Sequence, residues 1–277
     1  MTTIRLLASL LMCVAVFQLC DRCATAQAQP SAPAKSSMAS AGNPAWAKAK
    51  LEQSPRHREY VTVKNGARKL QAFVVYPEVK NKAPVVIVIH EIFGLTDWVK
   101  TVADELAANG YIAIAPDLLD GKVGEDATKA VGSLPPDQIT GDLNTVADYA
   151  KKIPAANGKL AVSGFCWGGG QSFRFATNRK DLSAAFVFYG SPPDDAAMKN
   201  ITAPVYGFYA ENDARITSTV PGAKEKMKAA GKKYEPVIYK DIGHGFMRTG
   251  AAPDAKPADK KAHDEAWARW LKELKGL

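Results

Sequence analysis

The sequence is poor in cysteine, with four among 277 residues. Cys13, Cys20 and Cys23 lie within or just after an apolar run near the N-terminus. If that run is removed during export, Cys166 alone remains and an intramolecular disulfide is excluded. The remaining thiol is then either a buried, inert side chain or a reactive group.

The sequence also lacks an apolar run long enough to span a bilayer, which needs roughly 20 residues. The run from Leu6 to Cys20 follows Arg5 and precedes the small residues of ATAQAQP. This pattern predicts a signal peptide over residues 1–26, cleaved after Ala26 or Ala28. We therefore expect a periplasmic or secreted protein with no stable membrane anchor after cleavage. The Ala-, Ser- and Pro-rich residues 27–56 are predicted to form a disordered or weakly ordered leader.

Long basic blocks are absent, although the formal net charge is +8. Lysines are spread over helix-like segments and are not interleaved with aromatics, so we expect no nucleic-acid partner. The stretch HEIFG (90–94) has Gly94 where a zinc-binding HExxH helix would need its second histidine. The stretch GFCWGGG lacks the Lys-Ser/Thr of a phosphate-binding loop. We expect a monomer with no metal and no cofactor, and with a small molecule as its partner.

Apolar runs alternate with helix-like segments along most of the chain. Two runs flanking Asn65-Gly66 predict an N-terminal antiparallel hairpin. The alternation that follows predicts a mostly parallel sheet flanked by helices on both faces, in a single α/β domain over residues 57–277. The predicted strands after the hairpin are 83–90, 111–117, 159–165, 183–190, 203–211 and 234–241. The predicted helices are 97–110, 138–153, a segment after Cys166, and 260–275.

Cys166 follows a predicted buried strand and precedes a helix-like segment. Gly164 and Gly168 flank it as G-x-C-x-G, which is the nucleophile elbow of the α/β-hydrolase fold with cysteine in place of serine. The helix N-terminus favours a thiolate at this position. The alternative is a buried cysteine that packs as a small apolar side chain beside turn glycines.

Two further residues follow predicted strands in the order that this fold requires. Asp213 comes after the strand 203–211, and His244 comes after the strand 234–241. The order nucleophile, acid, histidine is that of α/β-hydrolases, and ligands of open α/β sheets bind at these strand ends. Taken singly, Asp213 could be a helix N-cap and His244 a loop histidine.

The loop HEIFG suits an oxyanion hole because it follows the strand 83–90. The backbone N–H of Ile92 would act together with that of Trp167, the residue after the nucleophile. Glu91 would then lie beside the thiol. Its alternative role is that of a surface residue or of a partner for Lys or Arg.

From about His57 to Leu277 the chain resembles the dienelactone hydrolases, also called carboxymethylenebutenolidases. The resemblance rests on the stretches HEIFGL, APDLL, GFCWGG, YGFYAENDARI and HGFMRTG. It implies a Cys166–His244–Asp213 triad, an oxyanion hole at Ile92 and Trp167, and a role for Glu91 in holding the resting cysteine as a thiol.

The resemblance also implies arginines that bind a substrate carboxylate. Arg248, four residues after His244, fits one of them, and Phe93 is assigned with it to substrate binding. The loop 118–136 contains no arginine, so the family's second arginine is not evident there.

The expected activity is hydrolysis of lactones or activated esters. A general esterase or thioesterase on the same fold is the nearest alternative, and a non-catalytic binding protein is the alternative from another class.

Overall fold

This computed structural model describes residues 42–277. The predicted signal peptide and the predicted leader up to residue 41 lie outside the described residues. Within residues 42–277, no helix is both long enough and apolar enough to cross a membrane.

Within the described part of the chain, eight strands form one sheet in the order β1-β2-β4-β3-β5-β6-β7-β8. The first hairpin is antiparallel, and β2 also runs antiparallel to β4, whereas the remaining neighbours are parallel. The strands are β1 (Arg58–Asn65), β2 (Arg68–Val75), β3 (Ala83–Ile89), β4 (Ile112–Pro116), β5 (Ala156–Phe165), β6 (Ala184–Phe188), β7 (Val205–Ala210) and β8 (Tyr234–Tyr239).

Strand order reverses at the pair formed by β3 and β5, because β4 lies on the far side of β3. Ile89 pairs with Gly164 at the carboxyl end of this pair. Open parallel sheets bind ligands at such a reversal, where the loops leaving neighbouring strands turn away from each other. The two loops concerned are HEIFG and the predicted elbow.

Helices cover both faces of the sheet, as the sequence predicts. Each helix buries an apolar stripe against strands that are apolar on both sides, which is the usual solution for a parallel sheet. They are α1 (Ala45–Glu52), α2 (Asp97–Ala108), α3 (Glu125–Val131), α4 (Pro136–Lys152), α5 (Trp167–Asn178), α6 (Asp195–Met198), α7 (Ala214–Thr217), α8 (Val220–Ala229), α9 (Phe246–Thr249) and α10 (Pro257–Lys275).

The core therefore has two layers, one on each face. On one face α4, α5 and α8 contribute residues such as Leu143, Phe173 and Met227. On the other face α2 and α10 contribute Trp98 and Trp270, which pack edge-on against aromatic residues at the centre of the sheet. Burial on both faces fixes the strand ends, and hence the loops that carry the site.

Helix α1 lies inside the segment that the sequence predicts as a disordered or weakly ordered leader. Its Ala47 is fully buried, and Trp46 packs against the same apolar layer as α2. Farther on, Arg56 Nε donates a 3.0 Å hydrogen bond to Asp104 of α2. The described part of the predicted leader is thus held by tertiary contacts, which its Ala-rich composition did not indicate.

The predicted strands and helices are otherwise confirmed, with boundaries that shift by a few residues. Besides α1, the longer helices α3 and α8 and the one-turn helices α6, α7 and α9 were not predicted. α3 lies within the loop 118–136, and α8 begins at Val220-Pro221, where proline occupies the first turn of the helix.

Candidate active site

Cys166 occupies a strained turn between β5 and α5. Its φ of 56° lies in the left-handed region, which residues other than glycine rarely adopt. The flanking glycines permit the turn by allowing backbone to approach backbone. A Cβ on Gly164 would lie 1.9 Å from the Gly168 carbonyl oxygen, and one on Gly168 would lie 2.3 Å from the His90 carbonyl oxygen. This is the geometry expected of a nucleophile elbow.

Asp213 and His244 are brought together at the ends of β7 and β8. His244 Nδ1 lies 2.5 Å from Asp213 Oδ2. Because a carboxylate only accepts, Nδ1 carries the proton and Nε2 is left as the basic nitrogen. Asp213 is buried, whereas the His244 side chain is 31% exposed. The pair can therefore take up and return a proton at His244 Nε2.

Glu91 is a buried carboxylate with two partners. Its Oε2 accepts a 2.9 Å hydrogen bond from Arg248 Nε, and its Oε1 accepts a 3.4 Å hydrogen bond from Tyr189 Oη. The Arg248 guanidinium also lies over the Phe93 ring, 5.4 Å from its centre. The two predicted substrate-binding residues, Arg248 and Phe93, thus pack with each other and with Glu91.

The Cys166 thiol is held in its neutral form. Burial and the negative charge of Glu91 raise its pKa to about 11, although the backbone N–H groups of Trp167 and Ile92 act in the opposite direction by hydrogen bonding. Among the described residues, no hydrogen bond joins this thiol to the His244 ring. The sulfur therefore lies at the N–H groups of the predicted oxyanion hole.

His90 contacts both halves of that predicted oxyanion hole. Its Nδ1 donates a 2.7 Å hydrogen bond to the Glu91 carbonyl, which fixes the peptide that carries the Ile92 N–H. Its ring stacks on Trp167 with 5.4 Å between centres. His90 is fully buried, and desolvation lowers its pKa, so it stays neutral. Its Nε2 has no hydrogen-bond partner among the described residues.

A pocket of about 310 Å³ opens beside Cys166. The residues that line it include Ile92, Trp167, Tyr189 and Arg215. Within residues 42–277, no group of three or more His, Cys, Asp or Glu side chains is placed to hold a metal ion.

The model of the dienelactone hydrolase family matches residues 70–276. The chain belongs to this family. It is 31% identical over 223 residues to a Salmonella typhi protein named "Putative carboxymethylenebutenolidase", covering 73% of this chain and 81% of that protein. An Escherichia coli K12 protein of the same name is 31% identical over 216 residues, covering 70% of this chain and 78% of its own.

Solved structures agree with this assignment. The crystal structure of a "Putative Dienelactone Hydrolase" from Klebsiella pneumoniae matches with a TM-score of 0.72 and 26% identity, over 80% of this chain and 99% of its own. A dienelactone hydrolase-like promiscuous phosphotriesterase from metagenomic libraries matches with a TM-score of 0.71 over 80% of this chain and 98% of its own. At 22% identity, the second likeness shows the fold alone. The chain has the α/β-hydrolase fold of the dienelactone hydrolases.

Sequence reasoning missed two residues of this candidate site. Tyr189 follows β6, has a φ of 40°, and packs edge-on against the His244 ring at 4.9 Å. Arg215 stands two residues after Asp213 in the stretch NDARI. Both follow the ends of strands, and that position was the available signal.

Proposed function

We propose that this dienelactone hydrolase family member cleaves lactones or activated esters with Cys166 as the nucleophile. The observation that carries the proposal is the strained elbow, which presents Cys166 to a pocket. The hydrogen-bonded Asp213–His244 pair lies against Tyr189, which lines the same pocket. Family membership supports hydrolysis of carboxylic esters and lactones as the reaction class.

The reaction begins when the thiol turns from the backbone N–H groups towards His244. His244 Nε2 takes the thiol proton, and Asp213 stabilises the imidazolium that forms. The thiolate then attacks the substrate carbonyl carbon. Turning the sulfur away also frees the N–H groups of Ile92 and Trp167 to bind the oxyanion of the tetrahedral intermediate.

Collapse of this intermediate breaks the bond to the leaving oxygen, which receives the proton from His244. A water molecule, deprotonated by His244, then attacks the thioester carbonyl. The products are a carboxylic acid, an alcohol or enol, and the free thiol. In a lactone the acid and the enol remain parts of one molecule.

Glu91 is proposed to guard the thiol between turnovers. Its charge favours the neutral sulfur, which is a weaker target for oxidation than a thiolate. Binding of substrate in the pocket would displace the sulfur from its resting position. A thiolate also suits leaving groups that depart easily, so enol lactones and aryl esters are preferred over alkyl esters and amides.

The proposal is tested by trapping the acyl group. The protein is quenched in acid during turnover of an aryl acetate, digested and mapped by mass spectrometry. We expect an acetyl thioester on the peptide that carries Cys166, and its loss on treatment with hydroxylamine. An acetyl group on a serine or lysine, with none on Cys166, would refute the assignment.

A further inference from the structure

Arg215 lines the pocket next to Cys166. It lies in α7, directly after Asp213, and its side chain is exposed. Its charge reaches the reacting centre, because it favours the thiolate form of Cys166. A small substrate can therefore contact Arg215 and the Cys166 sulfur at the same time.

The two arginines near the site differ in what they contact. Arg248 is committed to Glu91, with 15% of its side chain exposed. Among residues 42–277, no carboxylate lies within ion-pair distance of Arg215, and no side chain or carbonyl accepts a hydrogen bond from it. Arg215 thus presents an uncompensated positive charge to the pocket.

Other hydrogen-bond donors line the same pocket as Arg215. Gln171 lines the pocket, and its Oε1 accepts a 2.9 Å hydrogen bond from Arg174 Nε, which leaves its amide N–H groups for another acceptor. Ser191 also lines the pocket, and its hydroxyl makes no hydrogen bond within the described part of the chain. Among residues 42–277, no acidic residue lines the pocket. The lining of the pocket therefore offers hydrogen-bond donors and a cation, which is the chemistry that binds an anion.

We infer that Arg215 is a specificity-determining residue that binds a carboxylate of the substrate, with Gln171 and Ser191 as neighbouring donors. The inference rests on the proposed function, because it places that carboxylate beside the ester or lactone that Cys166 attacks. It adds Arg215 to Arg248, for which the sequence resemblance implies the same role. The substrates selected are small acidic esters or lactones that fit a pocket of about 310 Å³.

The test uses two matched pairs of esters, each an acid and its neutral methyl ester. The first pair is 3-acetoxybenzoate and methyl 3-acetoxybenzoate, with the charge on the leaving group. The second is mono-4-nitrophenyl adipate and its methyl ester, with the charge on the acyl group. For each protein the measured quantity is the ratio of kcat/KM for the acid to kcat/KM for the neutral ester.

We expect Arg215→Gln to lower this ratio roughly ten- to a hundredfold in at least one pair, as the loss of a hydrogen bond to a charged group requires. The lower ratio should come mainly from a higher KM for the acidic ester. Arg215→Lys, which keeps the charge without the bidentate geometry, should give an intermediate ratio. Lys228→Gln removes an equal charge from the exposed face of α8 and should leave the ratio unchanged.

The outcomes separate this inference from the proposed function. If Arg215→Gln changes neither ratio by more than about twofold, while Cys166→Ala abolishes hydrolysis of all four esters, the role of Arg215 is refuted and the proposed function stands. If Cys166→Ala retains the hydrolysis of all four esters, the proposed function fails. Equal changes for Arg215→Gln and Lys228→Gln would show a general charge effect and would also refute the specific role.

Discussion

Arg248 Nε donates a 2.9 Å hydrogen bond to Glu91 Oε2, and the Glu91 side chain is only 3% exposed. The guanidinium holds a carboxylate in place beside a thiol whose pKa that carboxylate helps to raise. A buried charge keeps its full effect on a neighbour because little solvent screens it. The resting state of Cys166 therefore depends on residues outside the proposed triad.

The pH dependence of Cys166 alkylation tests this relationship. Because its pKa is raised to about 11, the thiol is neutral at pH 7, and its reaction with iodoacetamide should rise with pH well beyond pH 9. Glu91→Gln removes the negative charge, lowers the pKa, and should speed alkylation at pH 7 about tenfold or more for each pKa unit lost.

The rate is read on the peptide that carries Cys166, so that other cysteines do not contribute. Glu225→Gln, on the exposed surface of α8, is the matched control and should leave the rate unchanged. A plateau below pH 9 in the unaltered protein, or an unchanged rate in Glu91→Gln, would contradict the account.

Arg248→Gln should destabilise the fold. Leaving a buried carboxylate without its cation costs about 3–5 kcal/mol, so the free energy of unfolding in urea should fall by that amount. The double variant Glu91→Gln, Arg248→Gln should lose less, because the uncompensated charge is gone. Lys129→Gln breaks an exposed pair with Glu125 and should have no measurable effect. Equal losses in Arg248→Gln and the double variant would show that the ion pair is not the cause.

His90 should affect turnover through the Ile92 N–H. His90→Leu removes the hydrogen bond to the Glu91 carbonyl, so the Ile92 N–H is held less firmly. We expect kcat to fall by up to about a hundredfold with little change in KM, because the N–H would then stabilise the oxyanion less well. His90→Asn retains a donor near the position of Nδ1 and should recover much of the rate. A similar kcat for the two variants, at similar melting temperatures, would argue that His90 only fills space.

Close backbone packing at the elbow predicts a contrast between two glycines. Gly164→Ala places a Cβ 1.9 Å from a carbonyl oxygen and should cost about 4 kcal/mol or more of stability. Gly222→Ala, inside α8 with open space around it, should stabilise the protein by up to about 1 kcal/mol. Thermal unfolding of the two variants measures the difference. A stable Gly164→Ala protein would disprove the tight turn.

The sequence was sufficient to predict where the strands lie along the chain and where the elbow turn falls. Buried runs of β-branched residues and a cysteine between two glycines fit few other local structures. It was also sufficient to predict that Asp213 and His244 follow the ends of neighbouring strands. It offered a Lys or Arg partner for Glu91 but could not identify Arg248, which lies 157 residues away, because that contact depends on how the loop after β3 packs against α9. Arg215 also follows a strand end, but the residue types in NDARI do not distinguish an arginine that lines a pocket from one on the open surface.

The most direct test of the central claim is the kcat/KM of Cys166→Ala for the best aryl ester or enol lactone. We expect a loss of about 10⁴-fold or more, with a circular dichroism spectrum and a melting temperature close to those of the unaltered protein. A folded Cys166→Ala protein that retains kcat/KM within about tenfold would contradict the account, because another group would then be the nucleophile.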